Sequence, residues 1–156
     1  RGVEEMVDIM GCLEKIRTLF MPSIIEQNLT LQYKGKLKLL YALDPGLMEI
    51  IFHNIFSLII GRISQNNLLR IELKDGNPLQ IIFHDNGYDL EEKIPKLCTS
   101  YNVLALDKKN LQYFMNSLGW SIYFQRNKKF NVIKLLIPLS LEEKTLPDNV
   151  VNLFGS

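Results

Sequence analysis

Two short stretches hold the residues whose types and spacing could do chemistry. The first is Asp85-Asn86-Gly87, directly behind the apolar run Ile81-Ile82-Phe83 and His84. A carboxylate at a strand end accepts hydrogen bonds, and a glycine two residues later lets backbone approach a neighbour closely. The same three residue types favour a plain strand-ending turn, so both readings stand at this point. The second is Asn54, an amide inside an apolar segment. A buried amide requires hydrogen-bond partners, which a ligand or the protein itself can supply. Histidine chemistry is thin: His53 and His84 are the only two in the chain, which argues against zinc, and both read as structural. Cys12 and Cys98 stand far apart, outside any CxxC or CxxxH spacing, as expected of small apolar core residues in a reducing compartment. Lys128-Lys129 reads as a solvated turn.

Bulk properties narrow the function classes. A chain of 156 residues suffices for one domain with a sizeable core, or one domain and a tail. Eighteen basic and 17 acidic side chains leave a net charge of +1, so no field draws in nucleic acid or an anionic membrane surface. Apolar residues are spread along the whole chain, which argues against disorder. The longest apolar stretch, Leu47 to Ile63, is interrupted by Glu49, His53, Asn54, Ser57 and Arg62 and is too short and polar to span a bilayer. With Arg at its first position and no basic-then-apolar leader, the chain reads as a cytoplasmic piece of something larger.

The elements that must position these residues follow from periodicity and punctuation. Val7-Asp8-Ile9 reads as a short edge strand, then Met10, Leu13, Ile16, Leu19, Phe20 and Ile24 recur at helical steps. Pro22 predicts a kink or break near Phe20. Leu29 to Tyr33 alternates as a half-buried strand, Lys34-Gly35-Lys36 reads as a turn, and Leu37 to Leu43 as a second strand. Asp44-Pro45 opens a helix running to about Ile63, apolar over more than half its circumference and therefore central. Leu68 to Lys74 and Leu79 to His84 form a hairpin across Asp75-Gly76-Asn77-Pro78. The segment from Asp85 to Asp107 lacks periodicity and reads mostly as loop. Leu111, Phe114, Met115 and Leu118 mark a short helix closed by Gly119. Ser121 to Gln125 and Val132 to Ile137 are two more strands, joined by the basic turn Arg126 to Lys129. The fold class is α+β: a two-layer sandwich with a mixed, mostly antiparallel sheet and about three helices on one face. Residues 1–140 make the domain and 141–156 a loosely held tail.

The run Leu43 to Ile59, with Asp44, Pro45, Asn54, Ile55 and Phe56 in step, resembles the N box of bacterial sensor histidine kinases. Ile81 to Gly87 is similar to the strand and Asp-x-Gly of that family's first glycine motif. Val7-Asp8-Ile9 and its helix resemble the link to the family's dimerisation helices. The helix, Gly119 and the strands ending in Leu136-Ile137-Pro138-Leu139 match its closing pattern. The resemblance covers about Val7 to Leu139, and it rests on the order of the motifs rather than on any one of them. It implies the Bergerat (GHKL-type) ATP-binding fold. It also implies a nucleotide site in which Asn54 meets phosphate, Asp85 accepts from an adenine amino group, Gly87 admits close backbone approach and Arg62 reaches a phosphate.

The departures from that pattern concern the same chemistry. The Mg²⁺-binding amide falls on Leu58, which has no donor atom; a shift of one residue puts His53 and Ser57 at the two amide positions instead. The basic position falls on Gly61, beside Arg62. Asp89 replaces the second glycine, placing a carboxylate where polyphosphate would approach, at a cost of about 1–4 kcal/mol for charges a few ångströms apart. No glycine lies between Gly87 and Gly119, so the second glycine motif is missing and the lid is short. The expectation is a degenerate domain without catalytic or metal-binding residues, binding ATP or ADP weakly at most and Mg²⁺ not at all. Its expected partners are a response-regulator receiver domain and upstream dimerisation or phosphotransfer helices in a homodimer, with neither nucleic acid nor membrane. The alternative is a divergent but active kinase domain that phosphorylates a histidine on an upstream helix. A purely structural output module, or an anti-sigma-like regulator of the same superfamily, is a third reading.

Overall fold

The computed structural model describes residues 4–89 and 107–139. The expected tail, Cys98 and most of the segment between Asp85 and Asp107 lie outside the described residues. The strands are β1 (Glu5–Asp8), β2 (Thr30–Gly35), β3 (Leu40–Leu43), β4 (Leu68–Lys74), β5 (Leu79–Asp85), β6 (Ser121–Arg126) and β7 (Asn131–Ile137). The helices are α1 (Ile9–Leu19), α2 (Met21–Glu26), α3 (Pro45–Ile60) and α4 (Lys108–Ser117). Pro22 does break the first helical run: Phe20 separates α1 from α2, and proline sits in the first turn of the second piece, where its missing N–H costs nothing.

Five strands form one sheet in the order β2-β4-β5-β7-β6, parallel only between β2 and β4. The hairpin β4–β5 is as expected. β3 behaves differently from its sequence reading: it starts at Leu40, and pairs antiparallel with β1 in a separate two-stranded ribbon. Gly35 is likewise the last residue of β2 rather than the centre of a turn. It has a φ of +93°, and a Cβ there would sit 2.2 Å from the Leu73 carbonyl oxygen, so only glycine lets β2 end against β4. Tyr41 of β3 ties the ribbon back to the main sheet, its hydroxyl donating to Asp75 at 2.5 Å in the β4–β5 turn. That bond, with Lys36 second, holds the Asp75 carboxyl below its ordinary range.

α3 is the centre of the core. Asp44 caps it, accepting from Gly46 N at 2.8 Å, and Pro45 follows with φ already helical. Every residue from Ile51 to Ile59 is buried. The helix ends at Ile60, three residues before the expected end, where the chain turns through Gly61 and Arg62. Phe52 and Phe56 each meet Phe83 of β5 edge-on, with ring centroids 6.3 Å apart, which seats the helix on the sheet. α1 packs along α3, and α4 lies against α3 and β6. The sheet face under α3 is a continuous apolar floor of Leu69, Ile71, Leu73, Ile81, Phe83, Ile133 and Leu135, all at most 1% exposed. The register that aligns those rows also places Asp85 opposite Leu69 and Asn131 on the same inward face. Cys12 is a core residue, and its burial pushes the thiol up to about 11, away from reactivity. Gly119, at a φ of +78°, ends α4 as its position predicted.

Gly35→Ala should destabilise the domain by roughly 1–3 kcal/mol or more, since it forces alanine into a left-handed conformation against a backbone oxygen. Urea unfolding of the two proteins measures the difference.

Candidate functional site

The inward face of the sheet is apolar until its last row, where β5 ends in Asp85 and β7 begins in Asn131. Both are buried, at 0% and 2% exposure. Above them the chain leaves α3, and Arg62 follows within two residues, also 0% exposed. Its guanidinium lies on the Asp85 carboxylate, with Nη2 donating to Oδ2 at 2.5 Å and Nε lying 3.1 Å from Oδ1 and 3.2 Å from Oδ2. This is a fully buried, two-pronged ion pair.

Asp85 is engaged from the other side as well. Oδ1 accepts from Gly87 N at 3.0 Å and from Asn131 Nδ2 at 3.0 Å. A carboxylate offers about four acceptor directions. Four N–H groups take them up: Gly87 and Asn131 on Oδ1, and Nη2 and Nε of Arg62 on Oδ2, with Nε shared toward Oδ1. Asn131 also approaches the carbonyl oxygens of Gly87 and Tyr88 at 3.3 and 2.7 Å. Arg126, its register partner on β6, donates through Nη1 to Asn131 Oδ1 and to Gly87 O, both at 3.0 Å. The network leaves one loose end: Nη1 of Arg62 is buried and finds no acceptor among the described residues.

Gly87 has a role of its own. A Cβ at this position would lie 2.7 Å from the Arg62 carbonyl oxygen, so the glycine admits the Arg62 main chain. Tyr88 N then donates to that same oxygen at 2.9 Å. Asn86 turns outward and locks the strand end, its Oδ1 accepting from Leu68 N at 2.7 Å. The Asp-x-Gly turn therefore acts as a clamp on Arg62, by side chain at Asp85 and by close approach at Gly87.

Of the four residues singled out from sequence, Arg62, Asp85 and Gly87 are thus brought into direct contact. Arg62 is turned inward to the carboxylate. Asn54 sits on α3, 1% exposed, and donates Nδ2 to Ile50 O of its own helix at 2.8 Å. Leu58 is 5% exposed and belongs to the apolar core. His53 packs its ring on Phe20 at a centroid distance of 5.0 Å. Ser57 is buried too, and its hydroxyl has no hydrogen-bond partner among the described residues. No cluster of three or more His, Cys, Asp or Glu side chains suited to a metal occurs among the described residues.

Sequence reasoning passed over Asn131 and Arg126. The signal for Asn131 was present: it shares the inward parity of Ile133, Leu135 and Ile137, so an amide there had to be buried beside something polar. Arg126 belonged to the expected basic turn but forms the last residue of β6.

Comparison with known proteins places this arrangement in a fold. No family model matches the chain and no curated protein does. Among solved structures, the catalytic domain of histidine kinase ThkA superposes with a TM-score of 0.72 at 15% identity, over 90% of this chain and 98% of that one. The Acinetobacter baumannii histidine kinase AdeS gives 0.70 at 14% identity, over 90% of this chain and 69% of that one. ThkA in complex with the response regulator protein TrrA gives 0.71 at 15% identity, and this chain spans 43% of the chain matched there. The protein has the fold of a histidine-kinase catalytic, ATP-binding domain. No helix among the described residues is long and apolar enough to cross a membrane.

Removing one member of the buried pair strands the other charge, so Arg62→Met and Asp85→Asn should each cost roughly 3–5 kcal/mol. The double variant should cost much less than the sum, and urea unfolding of all four proteins gives the coupling. A second expectation concerns acid. Burial lowers the pKa of His53, and burial lowers that of His84, with Arg70 and Lys34 adding repulsion against the weaker pull of Glu72 and Asp85. The unfolded chain therefore protonates first, and stability should fall as pH drops from about 6.5 toward the lower folded values. Replacing both histidines by phenylalanine should flatten that slope in urea midpoints measured between about pH 8 and pH 5.

Proposed function

We propose that this chain is a degenerate histidine-kinase ATP-binding domain of a two-component system, which has given up Mg-ATP and works by docking a protein. The observation that carries the reading is the saturated carboxylate. A nucleobase amino group needs an open acceptor on Asp85, and the protein's own Arg62, Asn131 and Gly87 occupy its acceptor directions. Opening a position means breaking a fully buried ion pair, which costs far more than one neutral hydrogen bond returns. The residues present do not fit a nucleotide as they are arranged. Leu58 supports the same reading, because an aliphatic side chain cannot ligate a hard cation. Asp89 supports it through charge, and the chain from Gly87 to Gly119 lacks the glycines that wrap phosphates.

What remains is a two-layer domain around a buried apolar core. Its partner in this reading is the receiver domain of a response regulator, docked beside upstream dimerisation helices that carry the phosphorylatable histidine in a homodimer. ThkA, which shares this fold, has been crystallised with a response regulator. The rival reading, a divergent active kinase, relies on Asn54, Arg62, Asp85 and Gly87 as ligand contacts. Arg62, Asp85 and Gly87 are spent on one another, and the Asn54 amide donates to its own helix.

Calorimetry with ATP and ADP, with and without Mg²⁺, is the direct test. No heat at millimolar nucleotide is expected. A micromolar Kd weakened by Asp85→Asn would sink the proposal. A receiver domain should bind the full-length protein that carries this domain, and absence of binding with and without phosphorylation would count against docking.

A further inference from the structure

A planar fork of N–H donors on a buried carboxylate is the arrangement by which proteins hold amidine and guanidine ligands. At Asp85 that fork belongs to the chain itself. We propose that the Asp85 pocket is a binding site closed by its own tethered occupant, the Arg62 side chain, and that the ligand class it accepts once Arg62 is withdrawn is a small planar amidinium or guanidinium. The inference rests on the preceding reading in one respect, that no nucleotide engages Asp85 in the native protein.

The carboxylate is held in place independently of Arg62. Gly87 N and Asn131 Nδ2 both donate to Oδ1, and Arg126 fixes Asn131 in turn. With the guanidinium gone, Oδ2, which accepts from both Nε and Nη2 of Arg62, would face the vacated space. The Arg62 backbone is also held without its side chain. Its N donates to Ile59 O at 3.0 Å, and its carbonyl accepts from Tyr88 N at 2.9 Å across the gap left by the missing Cβ of Gly87. Truncation at Cβ therefore removes the occupant and leaves the walls.

Charge and donor geometry select the ligand. Asp85 is 0% exposed, so an occupant must bring a positive charge as well as N–H groups. Among the described residues Nε and Nη2 of Arg62 meet the carboxylate and Nη1 has no acceptor. An amidinium, with two parallel N–H groups on one edge, satisfies the carboxylate as fully as arginine does. In the native chain the tether gives Arg62 an effective concentration that no free ligand reaches, so the pocket stays shut.

The test is chemical rescue. N-ethylguanidinium, which is the fragment lost in Arg62→Ala, and acetamidinium are titrated at low millimolar concentration against matched sodium chloride. The readout is Tm. Arg62→Ala should show a saturable rise of several degrees; the native protein and the double variant Arg62→Ala, Asp85→Asn should show none. Should Arg62→Ala be unfolded alone, the same titration is read as recovery of the native circular dichroism, and failure to recover overturns the proposal. A folded Arg62→Ala without response overturns it, as does an equal response from the double variant. Nucleotide titration of the native protein separates the two ideas. Silence there with no rescue of Arg62→Ala defeats this inference alone, whereas native ATP binding defeats the reading on which it rests.

Discussion

The ion pair between Arg62 and Asp85 sets the terms for everything around it. Two charges without solvent are costly to bury, and such a pair persists only where geometry is good and the remaining lone pairs are filled. Each neighbouring residue meets one of those demands. Gly87 and Asn131 complete the carboxylate, Arg126 completes Asn131, and the absent side chain of Gly87 lets the Arg62 backbone come close. The pair therefore joins three separate pieces of chain: the exit of α3, the end of β5 and the start of β7. It closes the polar end of an otherwise apolar interface between α3 and the sheet.

That interface is held by stacked and edge-on rings. Phe52 and Phe56 rest on Phe83, and Phe20 stacks on Phe56 at 5.8 Å, so the α1–α2 junction, α3 and β5 share one aromatic cluster. In the proposed reading, groups suited to contacting a nucleotide face inward and contribute to the fold. An Asp-x-Gly turn is compatible with either use, because a carboxylate and a close-approach glycine serve an internal guanidinium as well as an external amine. The motif marks a place in the fold, and its neighbours decide what it does.

Much of the architecture was legible along the chain. The caps of α3 and α4, the break at Pro22, the β4–β5 hairpin and the alternation of core positions all depend on residues within a turn or two of one another. Boundaries and partners were less so. β3 was legible as a strand, but its pairing with β1 is a contact across more than thirty residues, settled by the two-stranded register rather than by composition. Gly35 read as a turn because glycine and lysines favour one, and only the Leu73 carbonyl beside it shows why a glycine ends that strand.

The site divides the same way. Residue type and position in sequence determined that Asp85 ends an inward-facing strand, that Asn54 is a buried amide, and that Leu58 cannot ligate a metal. These are properties of local periodicity and side-chain chemistry. Tertiary structure alone decided that Arg62 turns inward to a carboxylate 23 residues away instead of outward to a phosphate. A guanidinium on a long stem reaches either way, and local chain geometry does not favour one over the other. The choice is made by desolvation: once α3 settles on the sheet, the charge is buried against Asp85, and among the described residues Arg62 is the cation paired with that carboxylate.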